Sequence, residues 1–257
     1  MKIEKMVSVL QKFDERDITQ DKAVEELKDA EPFDFYAATL ELYLQGSKLK
    51  KGDSPRISRL FKELYKEDFQ RVIDDLKDGH PIKRLMTEHV YFERLLDELE
   101  DINQEIKEES DKSRVVKIEA IATAMNHLKE HINKEERLIF PTWYDQKGVG
   151  DVLLLEEEHE DILKSHEKLI KKSQESTEDW DQRQWGYLSD SIEELIRELR
   201  FHRFHEGDIF YPIVTNEFDD KKFKEIKKKM DKIEEKNPDP TLPEHLSYLD
   251  LPVLRKR

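Results

Sequence analysis

The chain contains no cysteine. Disulfides, thiolate metal sites, cysteine-ligated iron–sulfur clusters and cysteine nucleophiles are therefore excluded. Glycine is scarce, with seven residues in 257, and no glycine-rich phosphate loop occurs. Nothing approaches the roughly 20 consecutive apolar residues of a membrane span. The opening stretch, MKIEKMVSVLQKFDERD, has a short, broken apolar run that turns acidic, unlike a signal peptide. We expect a cytoplasmic protein with no membrane partner. Basic residues are in deficit, 45 Lys and Arg against 60 Asp and Glu, for a net charge of −15. Phosphate backbones need a basic field, so nucleic acid is not an expected partner.

What remains is a polar chain, 36% hydrophobic and 41% charged, whose apolar residues recur at helical spacing almost throughout. That pattern predicts an all-α protein in which each helix buries one stripe. Residues 1–78 read as a small N-terminal helical domain. Thr19 starts a helix after Asp17-Ile18, a break containing Pro32 ends it, and Ser54-Pro55 opens a longer helix through Phe61, Leu64, Phe69, Val72 and Ile73. Asp78-Gly79-His80-Pro81 marks a boundary. Residues 79–217 then carry four long amphipathic segments: about Pro81 to Lys107, Ser113 to Phe140, Asp151 to Lys172 and Asp181 to Tyr211. The second and fourth are expected to stop near Pro141 and Pro212. Short connections favour an up-down four-helix bundle. Residues 218–257 add a helix with one lysine-rich face, about Asp219 to Lys236, and an extended tail whose Leu246, Tyr248, Leu249, Leu251, Val253 and Leu254 could dock on a surface or serve as an interface; in the N-terminal domain, the cluster of Phe33, Phe35, Tyr36, Leu40, Leu42, Tyr43 and Leu44 could cap the bundle or build a homodimer.

The informative feature is an internal repeat. The first and third bundle segments contain Glu88-His89 and Glu158-His159. The second and fourth contain His131…Glu135 and His202…Glu206, both HxxxE, each with a proline six residues after the glutamate. The first and second histidines stand 42 residues apart in one half and 43 in the other. Residues i and i+4 lie ~40° apart on one helix face. HxxxE on two helices therefore directs two imidazoles and two carboxylates inward, and His89 and His159 add two more imidazoles. Two glutamates buried without compensation would be costly, and a metal is the natural counter-charge. Imidazole and carboxylate donors without thiolate suit Fe, Mn or Zn. A lone HxxxE is usually a surface pair, and a lone histidine on an apolar face is usually a core residue. Two copies in register favour the metal site.

Other histidines are further candidates. His127 and His166 share faces with His131 and His159 and are read as outer-shell or channel residues, or as additional ligands. His80 would have to bend inward from a helix start. His205 falls on the side of His202 away from Glu206 and is expected to be peripheral, and His245 is read as structural. No HExxH occurs, and Glu-x-x-His of the ferritin type occurs once, at Glu156…His159, without a partner.

At these residues, over roughly His80 to Glu217, the sequence resembles the hemerythrin-like (HHE) cation-binding domains. The preceding segment resembles, more loosely, a small helical domain of unknown function found ahead of some of them. The resemblance implies His89, His131, His159 and His202 as terminal ligands to two irons, with Glu135 and Glu206 bridging. It also marks departures from the oxygen-carrying hemerythrins, which have HxxxH on the third helix and HxxxxD on the fourth. Here those positions are Leu163 and Gly207. The pattern is closer to HHE proteins linked to nitric oxide, oxidative stress and repair of iron–sulfur centres.

Three functions follow. The first is a non-haem di-iron protein that binds or senses O2, NO or redox state. The second is an enzyme at the same centre, for NO reduction, peroxide scavenging or iron–sulfur repair. The third is a metal-free helical interaction module. Tyr91, Tyr144 and Tyr211 are read as packing aromatics, with redox or hydrogen-bonding roles as the alternative.

Overall fold

A computed structural model describes residues 2–44, 56–57, 59–61, 63–65, 73–147, 152–175 and 180–236. Those residues are overwhelmingly helical, and no strand occurs among them. The protein is all-α. The proposed start at Ser54-Pro55, Phe69, Val72 and the tail after Lys236 lie outside the described residues. No described helix is long and apolar enough to cross a membrane.

The N-terminal segment supplies α1 (Ile3–Asp14), α2 (Gln20–Leu27) and α3 (Pro32–Leu44). Thr19 caps α2, its hydroxyl accepting from the Lys22 N–H. Proline stands first in α3, where its missing N–H costs nothing. Gly79 takes a positive φ of 76°, a conformation that favours glycine. His80 and Pro81 then open α4 (Pro81–Glu108), with the His80 Nδ1 accepting from the Ile82 N–H at 3.3 Å. Asp111 caps α5 (Lys112–Ala124) through the Ser113 N–H at 2.8 Å.

The next stretches correct the sequence reading. After α5 the chain passes through a 3-10 turn, Met125–His127, into α6 (Leu128–Lys134). A π-helical segment, Glu135–Ile139, follows, and then α7 (Phe140–Lys147). After α8 (Leu153–Ser173) and α9 (Gln182–Phe204) a second π segment, His205–Phe210, leads into α10 (Tyr211–Glu217); α11 is Asp220–Lys236. Pro141 and Pro212 do not end their helices. A proline ring in an α-helix strikes the carbonyl four residues back. The π segments re-register those bonds just upstream, so the helical path continues past both prolines.

The chain divides into two compact units. One comprises Met1–Leu76, Phe140–Glu158 and Phe201–Asp220; the other comprises Lys77–Ile139, His159–Arg200 and Lys221–Arg257. In the second unit, α4, α5, α8 and α9 share one apolar core, including Phe92, Leu96, Leu99 and Ile106 of α4, Ile118 of α5, Ile162 and Leu169 of α8, and Leu188, Ile192 and Leu195 of α9. The α4 positions repeat as four, three, then seven residues, a heptad seam whose middle place is taken by buried Asn103. Polar contacts fix the helix directions. Arg200 of α9 reaches Glu93, Asp97 and Glu100 of α4, while Lys107, farther along α4, pairs with Glu193, which precedes Arg200. Ser165 and Lys168 of α8 meet Glu198 and Glu194 of α9. The helix α9 therefore runs antiparallel to both α4 and α8, as an up-down arrangement requires. The C-terminal helix α11 lies on α4 through Arg84, which meets Asp231 and Glu234.

The first unit is held by aromatics. Phe35, Phe61 and Tyr65 form one group, with ring centroids 4.7–5.9 Å apart. The Tyr65 hydroxyl donates to the Ala30 carbonyl at 2.9 Å. In a second group, Phe33 and Tyr36 of α3 pack on Trp143 and Phe210, and Trp143 also meets Phe218. The helix α3 is thus packed on Trp143, which follows the first π segment, and on Phe210, the last residue of the second.

Candidate metal centre

The HxxxE residues and the side chains around them lie on buried helix faces. Glu88 and His89 lie on α4, His131 and Lys134 on α6, and Glu135 opens the first π segment. Glu158 and His159 lie on α8, His202 is in the last turn of α9, and His205 and Glu206 open the second π segment. Their side chains are buried, with Glu135 and Glu206 at 0% exposure. A π turn shifts the register of the face that follows it. Both shifts begin at or beside the HxxxE glutamate.

In the Lys77–Ile139 and His159–Arg200 unit, Glu88 places Oε2 2.8 Å from His131 Nδ1, and its other oxygen accepts from the Lys134 ammonium. His131 Nε2 lies 3.5 Å from Glu135 Oε2 and 3.1 Å from His89 Nε2. His159 Nε2 lies 3.3 Å from the same Glu135 oxygen, and its Nδ1 lies 2.9 Å from Glu136. The Met1–Leu76, Phe140–Glu158 and Phe201–Asp220 unit repeats the design. Glu158 Oε2 lies 2.9 Å from His202 Nδ1, and its Oε1 lies 2.7 Å from His205 Nδ1. His202 Nε2 lies 3.0 Å from Glu206 Oε2. The buried Tyr211 hydroxyl donates to that oxygen at 3.5 Å.

Two groups of buried side chains result, one of His89, His131, Glu135 and Glu206, the other of Glu135, His159, His202 and Glu206. In each, one ligand atom per residue lies within 4.8 Å of the others. Both groups contain both HxxxE glutamates.

The electrostatics follow from the carboxylates behind the histidines. Burial by itself would raise Glu88, but the hydrogen bond from His131 and the charge of Lys134 outweigh it and hold the carboxyl down at about 2. Burial opposes ionisation of Glu158 in the same way, and His205 and His202 hold it down at about 2. An anionic carboxylate at Nδ1 keeps the imidazole proton there and leaves Nε2 as the lone-pair atom. On His131, His159 and His202 that lone pair faces a glutamate oxygen at 3.0–3.5 Å. Two acceptors at that separation repel unless a proton or a cation lies between them. Several imidazoles sharing two buried carboxylates fit a pair of cations, and the donor set suits iron, manganese or zinc.

The remaining sequence candidates stand elsewhere. His80 caps α4 and packs on Phe223 with ring centroids 4.3 Å apart. His127 stands beside Tyr91. His166 donates its Nε2 proton to the Ala122 carbonyl at 2.7 Å. None of the three belongs to either group. His205, expected at the periphery, is instead buried against Glu158. Lys134 and Glu136 escaped the sequence reading altogether. The repeat carried a signal for Lys134, which stands three residues after His131 as His205 stands three after His202.

These features define a helical protein with a buried imidazole–carboxylate centre. The family model for the hemerythrin HHE cation binding domain matches residues 80–214, more than half the chain, and the protein belongs to that family. No curated protein and no solved structure matches it.

Proposed function

We propose that this is a non-haem di-iron protein that binds or senses a diatomic ligand, O2 or NO, or the redox state of its surroundings. The observation that carries this reading is the pair of buried histidine–glutamate groups sharing Glu135 and Glu206. His89 and His131 would hold one ion and His159 and His202 the other, with the two glutamates common to both. Bound there, iron would supply a reversible change of oxidation state and open coordination positions for a small ligand.

The protein's own part is to hold the donors in place and limit water. Glu88, Glu136 and Glu158 fix the tautomers and ring orientations of His131, His159 and His202. The donors are buried, which keeps them desolvated. Leu163 and Gly207 stand where the oxygen carriers have further ligands. That supports open positions, and so sensing or reactivity, over oxygen carriage.

The test is anaerobic loading of the full chain with ferrous iron, followed by NO or O2. A spectral change that reverses on removing the gas supports binding or sensing. Consumption of NO or peroxide over many equivalents would move the reading to an enzyme. Absence of any iron-dependent change would contradict it.

A further inference from the structure

The second bundle segment is not one continuous α-helix. It passes from α5 through the 3-10 turn Met125–His127 into α6, which carries His131. Residues 112–134 contain neither proline nor glycine, so the usual local causes of a break are missing. Helices also depart from regular geometry where a side chain enters the backbone ladder, and α8 supplies one. His166, 1% exposed, lies with its Nε2 2.7 Å from the Ala122 carbonyl. A carbonyl carries no proton, so Nε2 is the donor. In a regular α-helix that carbonyl would serve the N–H of the residue four places on. That residue is Asn126, the middle of the 3-10 turn.

We propose that His166 is a positioning residue for the metal centre: its bond to the Ala122 carbonyl holds the 3-10 turn, and the turn sets the face on which His131 and Glu135 stand. This rests on the di-metal reading above. The spacing of buried residues supports it. Val115, Ile118, Ala122 and Met125 are buried at steps of three, four and three, as one face of an α-helix requires. From Ala122 through Met125 to Leu128 the steps are three and three, the period of a 3-10 helix. Steps of four and three resume at Ile132 and Glu135. A 3-10 helix turns about 120° per residue against about 100° in an α-helix, so the three residues of the turn add ~60°. Without the turn, His131 and Glu135 would lie ~60° farther from the buried face. The bond needs only the Nε2 proton and so does not depend on the charge of the ring. The helix α8 therefore both supplies His159 and, through His166, orients the HxxxE pair of its neighbour.

The test replaces His166 in the full chain. His166→Leu removes the donor and His166→Gln keeps one. Leu169→Ala, in the same helix and core, controls for lost packing alone. Amide NMR of the metal-free chain reads the backbone from Ala122 to Glu135, and anaerobic titration with cobalt(II) reads the centre through its ligand-field absorption. His166→Leu should move the amide signals from Asn126 to Glu135 and alter the cobalt spectrum. It should weaken cobalt binding roughly 10–100-fold, with His166→Gln returning to within about threefold of wild type. Leu169→Ala should lower the unfolding midpoint and leave cobalt spectrum and affinity in place. Circular dichroism separates a folded variant from a damaged one, and His166→Met, apolar and flexible, gives a second route if the leucine variant folds poorly. Unmoved amide signals in a folded variant, a glutamine variant no better than the leucine one, or an equal loss of affinity in Leu169→Ala would overturn the inference while leaving the di-metal reading standing. A wild-type chain that binds no cobalt would overturn the di-metal reading, and the amide signals would still decide whether His166 holds the turn.

Discussion

His202 and Glu158 stand 2.9 Å apart, Nδ1 to Oε2, although 44 residues separate them in the chain. The contact lets α8 orient a side chain at the end of α9, and Glu158 is buried in doing so. Replacing Glu158 with Gln keeps the shape but removes the charge behind His202. We expect overall metal affinity to fall roughly 10–100-fold, measured by competition with a chromogenic chelator, with helical content unchanged.

His166 gives a pH prediction away from the centre. Burial lowers its pKa below the usual 6.5, against the hydrogen bond to the Ala122 carbonyl, which raises it. The folded protein therefore keeps this ring neutral while the unfolded chain takes up a proton. Its contribution to stability is full above pH 6.5 and is lost as pH falls from there toward the depressed folded value. The slope is up to about 1.4 kcal/mol per pH unit. His166→Gln preserves a donor for Ala122 and removes the titration. Urea unfolding at a series of pH values should show a shallower loss below pH 6.5 in that variant than in wild type.

Asn103 interrupts the apolar seam of α4, and its Oδ1 is buried with no hydrogen-bond partner. An unsatisfied buried acceptor costs about 1–3 kcal/mol. Asn103→Leu should raise stability by an amount in that range, read as a higher urea midpoint at an unchanged slope.

Trp143 is fully buried among Phe33, Phe210 and Phe218, and its indole N–H has no hydrogen-bond partner. Its value is thus in packing. Trp143→Ala should cost about 3–5 kcal/mol, and Trp143→Phe clearly less, because it keeps an aromatic and removes the unmet donor. Thermal unfolding of both variants would show the ordering.

The all-α class and the helix starts were legible because each has a local cause. Thr19 and the Gly79-His80-Pro81 junction act through bonds to residues a few positions away. The repeat made His89, His131, Glu135, His159, His202 and Glu206 visible because identical spacing survives translation into a helix. The passage of the helices beyond Pro141 and Pro212 was not legible. A reading at 3.6 residues per turn has no term for a π insertion. The same blind spot misplaced His205, since the register changes at that residue and ideal angles counted from His202 no longer hold. Lys134 and Glu136 were hidden for another reason: charged residues at such positions usually face water, and only the tertiary contacts with Glu88 and His159 show otherwise.

The most direct test of the central claim is the iron content of the full chain after anaerobic ferrous loading and gel filtration, compared with Glu135→Ala and Glu206→Ala. The account predicts two irons per wild-type chain and a loss of iron in either variant, because both glutamates belong to both groups. Wild-type chains that retain no iron, or variants that keep the full complement, would contradict it.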